Sequence, residues 1–185
     1  MERVMKILDT PGTVAVVKSP RAARPGWTDR LSIAALAPRD LVLRLMAISY
    51  RSFIWGLAQL SPGYLAWDSR ARARRAFFRA ARQVPAYASF LAERRAGADT
   101  VPETDKESYI KAYPVAARCI GGRIPARHVM IDESSGSTGT PYNWVRSEEE
   151  RHHSHLFVSY FASYCFGTRP RITINAFSMG AWATG

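Results

Sequence analysis

The segment Glu133-Ser134-Ser135-Gly136-Ser137-Thr138-Gly139-Thr140-Pro141 concentrates hydroxyls and glycines within nine residues. A loop that holds polyphosphate needs backbone N–H groups aimed inward, which glycine permits by reaching φ > 0. It also needs small hydroxyls that donate to phosphate oxygens without filling the cavity, and residues 134–140 supply both. The common P-loop is excluded, because no Gly-Lys-Ser/Thr follows at the required spacing. A flexible Ser/Gly linker has the same composition, yet a linker does not normally lie between two strand-like segments and end in Thr-Pro.

Other reactive side chains are less organised. His152 and His155 stand three apart on an expected helix, with His153 between them, but no Cys or carboxylate set of suitable spacing completes a metal site. A solvated helix start, with Glu148, Glu149 and Glu150 at its positive end, accounts for this stretch, and no metal ligands are assigned. Asp105 and Lys106 could join a site, but a helix start with surface charges is the favoured account. Cys119 and Cys165 are too few and too far apart for a disulfide framework. Cys165 reads as a small apolar filler among Phe157, Tyr160, Phe161 and Tyr164, which read as core and sheet contacts.

The elements that must position the loop follow from periodicity. Residues 128–131 are short, apolar and bounded by polar residues, as a strand entering a loop would be. After the loop, residues 142–146 read as a second strand. Ser147-Glu148-Glu149-Glu150 matches a capping box, a helix continues to about Phe166 before Gly167 and Pro170, and residues 172–177 read as a third strand. Strand, helix, strand is a βαβ unit. The expected class is therefore α/β: a helical N-terminal region followed by the start of a parallel or mixed sheet.

Upstream, residues 1–37 form an expected irregular basic extension, and residues 38–185 an expected single domain. A helix is expected over residues 38–60, with Ser61-Pro62-Gly63 as its stop. An arginine-rich helix follows and fails before Pro85, and a short one is expected over residues 86–96. In the arginine-rich helix Ala73, Ala76, Phe77, Ala80 and Val84 share one side, while Arg72, Arg75, Arg79 and Arg82 share the other as a solvated face. Thr104-Asp105-Lys106-Glu107 matches another capping box, starting a helix that runs to about Ala112.

The chain has 185 residues and a net charge of +11 from 26 basic and 15 acidic side chains. The excess lies in front: 17 basic and 7 acidic residues through Thr100, against 9 and 8 beyond it. A hydrophobic fraction of 47% excludes wholesale disorder. Residues 41–60 come closest to a membrane span but are interrupted by Arg44 and Arg51, so a cytoplasmic location without a transmembrane segment is expected. Nucleic acid is disfavoured as a partner, since neither an interleaved aromatic platform nor zinc-finger spacing accompanies the arginines.

The run Ser-Ser-Gly-Ser-Thr-Gly-Thr-Pro resembles the phosphate-loop signature of the acyl-adenylate-forming (AMP-binding) superfamily. Three further stretches are similar to its phenylacetate-CoA ligase-like branch: Val84-Pro85-Ala86-Tyr87; Val101-Pro102-Glu103-Thr104-Asp105-Lys106-Glu107 with Tyr113-Pro114; and residues 177–185. Together they cover about residues 70–185, in the family's order. The resemblance implies ATP-dependent activation of a carboxylic acid as an acyl-adenylate, with Mg2+ as cofactor and coenzyme A as acyl acceptor.

By that resemblance Ser134, Ser135, Ser137 and Thr138, with the amides of Gly136, Gly139 and Thr140, grip the β- and γ-phosphates, and Gly180 and Trp182 map near the acyl pocket. Many relatives carry a lysine in or just after the loop; here Thr140 and Tyr142 stand there, and Arg146 is the candidate to compensate. The family's adenine-binding, magnesium-holding and lysine-bearing segments have no counterpart in these 185 residues. The resemblance thus implies the N-terminal portion of a ligase, inactive alone and needing a missing C-terminal portion or a partner chain. The alternatives are a ligase-derived interaction module without catalysis, such as one serving surface-polysaccharide assembly, or a basic protein that docks on nucleic acid or an anionic surface.

Overall fold

A computed structural model of the chain describes residues 24–134, 141–170, 172 and 174. The first described element is helix α1, Trp27–Ala34, which lies inside the stretch expected to be irregular. The Gly26 amide donates to Asp29 Oδ2 at 3.2 Å, so a local cap starts a helix that the surrounding prolines had masked. The expected helix over residues 38–60 is two helices, α2 (Leu36–Met46) and α3 (Tyr50–Ala58). Ser49 breaks it: its hydroxyl accepts from the Ser52 amide, and the Ser52 hydroxyl reaches back to the Met46 carbonyl at 2.7 Å. Gly56 makes the tight return possible, since a Cβ there would collide with the Met46 side chain.

Ser61-Pro62-Gly63 does not merely stop α3; it opens α4, Pro62–Gln83, with Ser61 as N-cap and Pro62 in the first turn. Val84, forced extended by the proline after it, separates α4 from α5, Pro85–Glu93. The core sits here, where Phe77, Phe78 and Ala81 of α4 meet Leu91 of α5 and Ala96, with Ile33 of α1 and Tyr87 packed against them. Phe90 and Leu91 have no exposed surface.

The buried face of α4 is Ala71, Phe77, Phe78 and Ala81, rotated from the expected one, and Ala73 and Ala76 are exposed. The rotation has an electrostatic cause. Arg72 and Arg75 are partly exposed but pair with Asp40 of α2 at 2.7 and 2.9 Å, and Arg72 also holds Asp68. Burial acts to raise the Asp40 pKa, but hydrogen bonds from Arg75 and Arg72 outweigh it and hold the carboxyl below its usual range. Arg39 joins the network through Asp68 and lies over the rings of Tyr64 and Trp67.

Asp105, not Thr104, caps the next turn by accepting from the Ser108 amide at 2.7 Å, and Lys106–Lys111 is a single π-helical turn. Strands β1 (Val129–Glu133) and β2 (Asn143–Ser147) then pair antiparallel, with Ile131 opposite Val145 and Glu133 opposite Asn143. The Ser147 hydroxyl accepts from the Glu150 amide and starts α6, Glu148–Phe166. The protein is thus mixed helix and strand, and among the described residues its sheet is this two-stranded hairpin. Of the expected third strand, Ile172 and Ile174 are described, both exposed and outside any strand; the rest lies outside the described residues.

Helix α6 departs most from expectation. None of its residues is buried; Phe157, Phe161 and Tyr164 are more than half exposed, and Cys165 is exposed rather than a core filler. Tyr160 anchors the helix inward, donating its hydroxyl to the Ala47 carbonyl at 2.6 Å and packing on Tyr50 and Phe53. Among the described residues no helix is long and apolar enough to cross a membrane.

Candidate functional site

The hydroxyl-rich loop joins β1 to β2. The antiparallel ladder continues one pair past Glu133 and Asn143: the Ser134 amide donates to the Tyr142 carbonyl at 2.9 Å, and the Tyr142 amide donates to Ser134 Oγ at 2.9 Å. The chain therefore reverses direction between Ser134 and Tyr142, and Ser134 uses its hydroxyl to close the base of that reversal. Ser135, Gly136, Ser137, Thr138, Gly139 and Thr140 lie outside the described residues, as do Gly180 and Trp182. Of the expected phosphate ligands the structure thus places only Ser134, whose hydroxyl oxygen accepts from the Tyr142 amide.

The surroundings of this base are cationic, though not through Arg146. That side chain pairs with Asp132 and with Glu150, each at 2.8 Å, so two carboxylates already balance it. It is not the compensating charge the sequence suggested. On the π-helical turn Lys106 Nζ stands 4.8 Å from the centre of the Tyr142 ring. Lys111 on the same turn pairs with Glu107; that hydrogen bond chiefly raises its pKa, with the Tyr142 hydroxyl adding a smaller push.

A third cation is Arg118, which donates to the Asn143 carbonyl at 3.3 Å and lies over the Trp144 ring. Burial pulls its pKa down. Sequence reasoning weighed Lys106 as a helix-start charge and did not single out Lys111 or Arg118. Their proximity to Tyr142 and Asn143 depends on how residues 105–118 fold back, and no local spacing reports that. Composition gives no signal either, because residues 105–118 carry three basic and two acidic side chains.

The rear wall of this region is an aromatic run. Tyr109 stands edge-on to Phe90 and Tyr87, at 5.3 and 6.2 Å between ring centres, and packs on Tyr113, whose hydroxyl donates to Glu93 at 2.9 Å. Burial pushes the hydroxyls of Tyr109 and Tyr113 up to about 12. This wall fixes the π-helical turn to the core and so sets where Lys106 can reach.

Among the described residues no group of three His, Cys, Asp or Glu side chains could hold a metal ion. His152, His153 and His155 are exposed along α6. His128 pairs with Glu148 at 2.8 Å and thereby ties the start of β1 to the start of α6. Compared with protein-family models, curated proteins and solved structures, the chain has no match.

Proposed function

We propose that the chain carries the polyphosphate-gripping part of an ATP-dependent carboxylate-CoA ligase of the phenylacetate-CoA ligase-like kind. In this reading residues 134–140 hold the β- and γ-phosphates of ATP, and a carboxylic acid is converted to an acyl-adenylate and then passed to coenzyme A. The β1–β2 hairpin and α6 then belong to the mixed helix-and-strand N-terminal part of such an enzyme. Gly180 and Trp182 fall near the acyl pocket.

The supporting observation is the position of Lys106 over Tyr142, the residue that closes the loop. A carboxylate attacking the α-phosphate needs the departing pyrophosphate's charge stabilised. Backbone amides and hydroxyls of the loop, joined by Lys106 and Arg118, provide that stabilisation, while Ser134 keeps the loop ends together. Mg2+, which accompanies ATP in such chemistry, would neutralise phosphate charge; none of the described residues is assigned to it.

Titration of the full chain with ATP tests this reading. Replacing Ser137→Ala and Thr138→Val together should weaken ATP binding by about tenfold or more, since even one hydroxyl hydrogen bond to a charged oxygen is worth about 1.5 kcal/mol. Lys106→Gln should weaken it by a similar factor. ATP affinity unchanged by the loop substitutions, or no ATP binding at all, would remove the proposal. A second reading, an interaction module without catalysis, is favoured by the exposed rings of α6 and predicts stable assembly on a partner protein without ATP binding.

A further inference from the structure

Away from the hairpin, a cleft of about 960 Å³ opens between α1 and the C-terminal half of α4. Among the described residues its lining includes five arginines and no carboxylate: Arg24, Arg30, Arg75, Arg79 and Arg82. Ile33, Ala34 and Phe78 supply its apolar surface. Asp29 of α1 and Asp40 of α2 are already engaged, Asp29 with Arg74 and Asp40 with Arg72 and Arg75. Arg74, Arg72 and Arg75 thus serve to dock the helices. Arg79 instead donates to the neutral Gln83 side chain, and Arg30 to the Pro25 carbonyl. Neither bond offsets charge.

We infer that this cleft is a binding site for a phosphate ester with an apolar substituent. Like charges gathered around one concavity repel, and an anion seated among them removes that cost. Guanidinium forks donate pairwise to phosphate oxygens, a match that lysine would not provide. The volume is that of a small-ligand pocket rather than of an extended nucleic-acid groove, and the Phe78 ring is 8% exposed, which leaves no face free for base stacking. The apolar surface beneath the arginines fits the substituent that carries the phosphate. The same headgroup chemistry occurs in a soluble aryl phosphate and in a phosphatidic acid bilayer.

The test uses the full chain with phenyl phosphate in solution and, separately, vesicles of phosphatidylcholine with and without phosphatidic acid. Arg79→Gln with Arg82→Gln should lower affinity for the phosphate-bearing probe by about tenfold or more. Arg70→Gln with Arg95→Gln removes the same net charge outside the cleft and should leave affinity within about twofold. Ser137→Ala with Thr138→Val should also leave it unchanged, which separates this cleft from the hairpin loop. Site-dependent binding of phenyl phosphate identifies a free ester as ligand, and site-dependent binding only of vesicles containing phosphatidic acid identifies a headgroup; either upholds the inference. Equal losses in both arginine pairs, or no binding in either arm, overturn it.

Discussion

Arg74 holds Asp29 across 45 residues of chain, with Nε donating to Oδ1 at 2.6 Å and a terminal nitrogen to Oδ2 at 2.9 Å. The same guanidinium reaches Asp99 at 2.8 Å and the Ala98 carbonyl, so one side chain of α4 clamps α1 and the segment after α5. Two parallel bonds between planar groups restrict orientation as well as distance. The pair therefore fixes how α1 lies on α4, and with it the shape of the arginine-lined cleft.

Arg74→Met should cost about 1 kcal/mol, the range of a well-aligned pair still partly open to water. The hydrogen bond from Arg74 chiefly holds the Asp29 carboxyl below its ordinary 3.8, against a smaller opposing effect of burial. Because the folded value is depressed, the pair's contribution is complete above about pH 4 and is lost as pH falls below 3.8. Urea unfolding across this acid window should show a shallower pH dependence in Arg74→Met than in the unmodified protein. An identical slope would mean the pair does not contribute.

Alkaline stability has the opposite sign. Tyr109 and Tyr113 are raised from 10.0 to about 12, chiefly by burial, so they stabilise the fold below pH 10 and that stability drains between pH 10 and about 12. Tyr109→Phe keeps the ring contacts with Phe90 and Tyr87 while removing one titration. Its alkaline unfolding midpoint should move upward, with near-neutral stability little changed. Tyrosinate absorbance followed alongside circular dichroism checks both statements.

Phe90 is completely buried between Tyr87 and Tyr109. Phe90→Ala should cost about 3 to 5 kcal/mol through lost burial and the cavity left behind. Because the aromatic wall positions the π-helical turn, this change should also weaken any phosphate binding that depends on Lys106. Thermal melts and ATP titration of one preparation measure the two effects together.

The Tyr160 hydroxyl and the Ala47 carbonyl make the inward anchor of α6. Tyr160→Phe should destabilise by about 1 kcal/mol, since it leaves a half-buried carbonyl without its donor. Hydrogen exchange should report that loss in α6 before the α4–α5 core responds.

The two thiols should separate kinetically. Cys165 is exposed, whereas burial raises the pKa of Cys119, whose thiol also donates to the Val115 carbonyl at 3.3 Å. An alkylating reagent at neutral pH should label Cys165 first, and Cys119 only as the structure opens. Peptide mass spectrometry that found equal rates would contradict this arrangement.

Local signals in the sequence located the helix starts at Ser147 and near Asp105, the break before Pro85, and the strand-like segments on either side of the hydroxyl-rich loop. Each depends on a bond between a side chain and a backbone group a few residues away, or on the period of side chains along one element. Such terms are complete within a single turn or strand. The division of residues 38–60 at Ser49 was equally local, but its signal, a serine pair at spacing three, was overshadowed by continuous apolar periodicity.

Tertiary structure decided the use of each charge. Arg72 and Arg75 share a helical face with Arg79 and Arg82, yet the first two bind Asp40 while the other two line a cleft without a carboxylate among the described residues. The partner of Arg74 is 45 residues away and that of Arg75 is 35, distances at which helical periodicity carries no information. For the same reason Arg146, adjacent to the loop in sequence, is balanced by Asp132 and Glu150, while Lys106, more than 30 residues earlier, stands over Tyr142. Side-chain type and spacing determined what chemistry the loop and the arginines can perform; packing of distant helices determined which of them remain available for it.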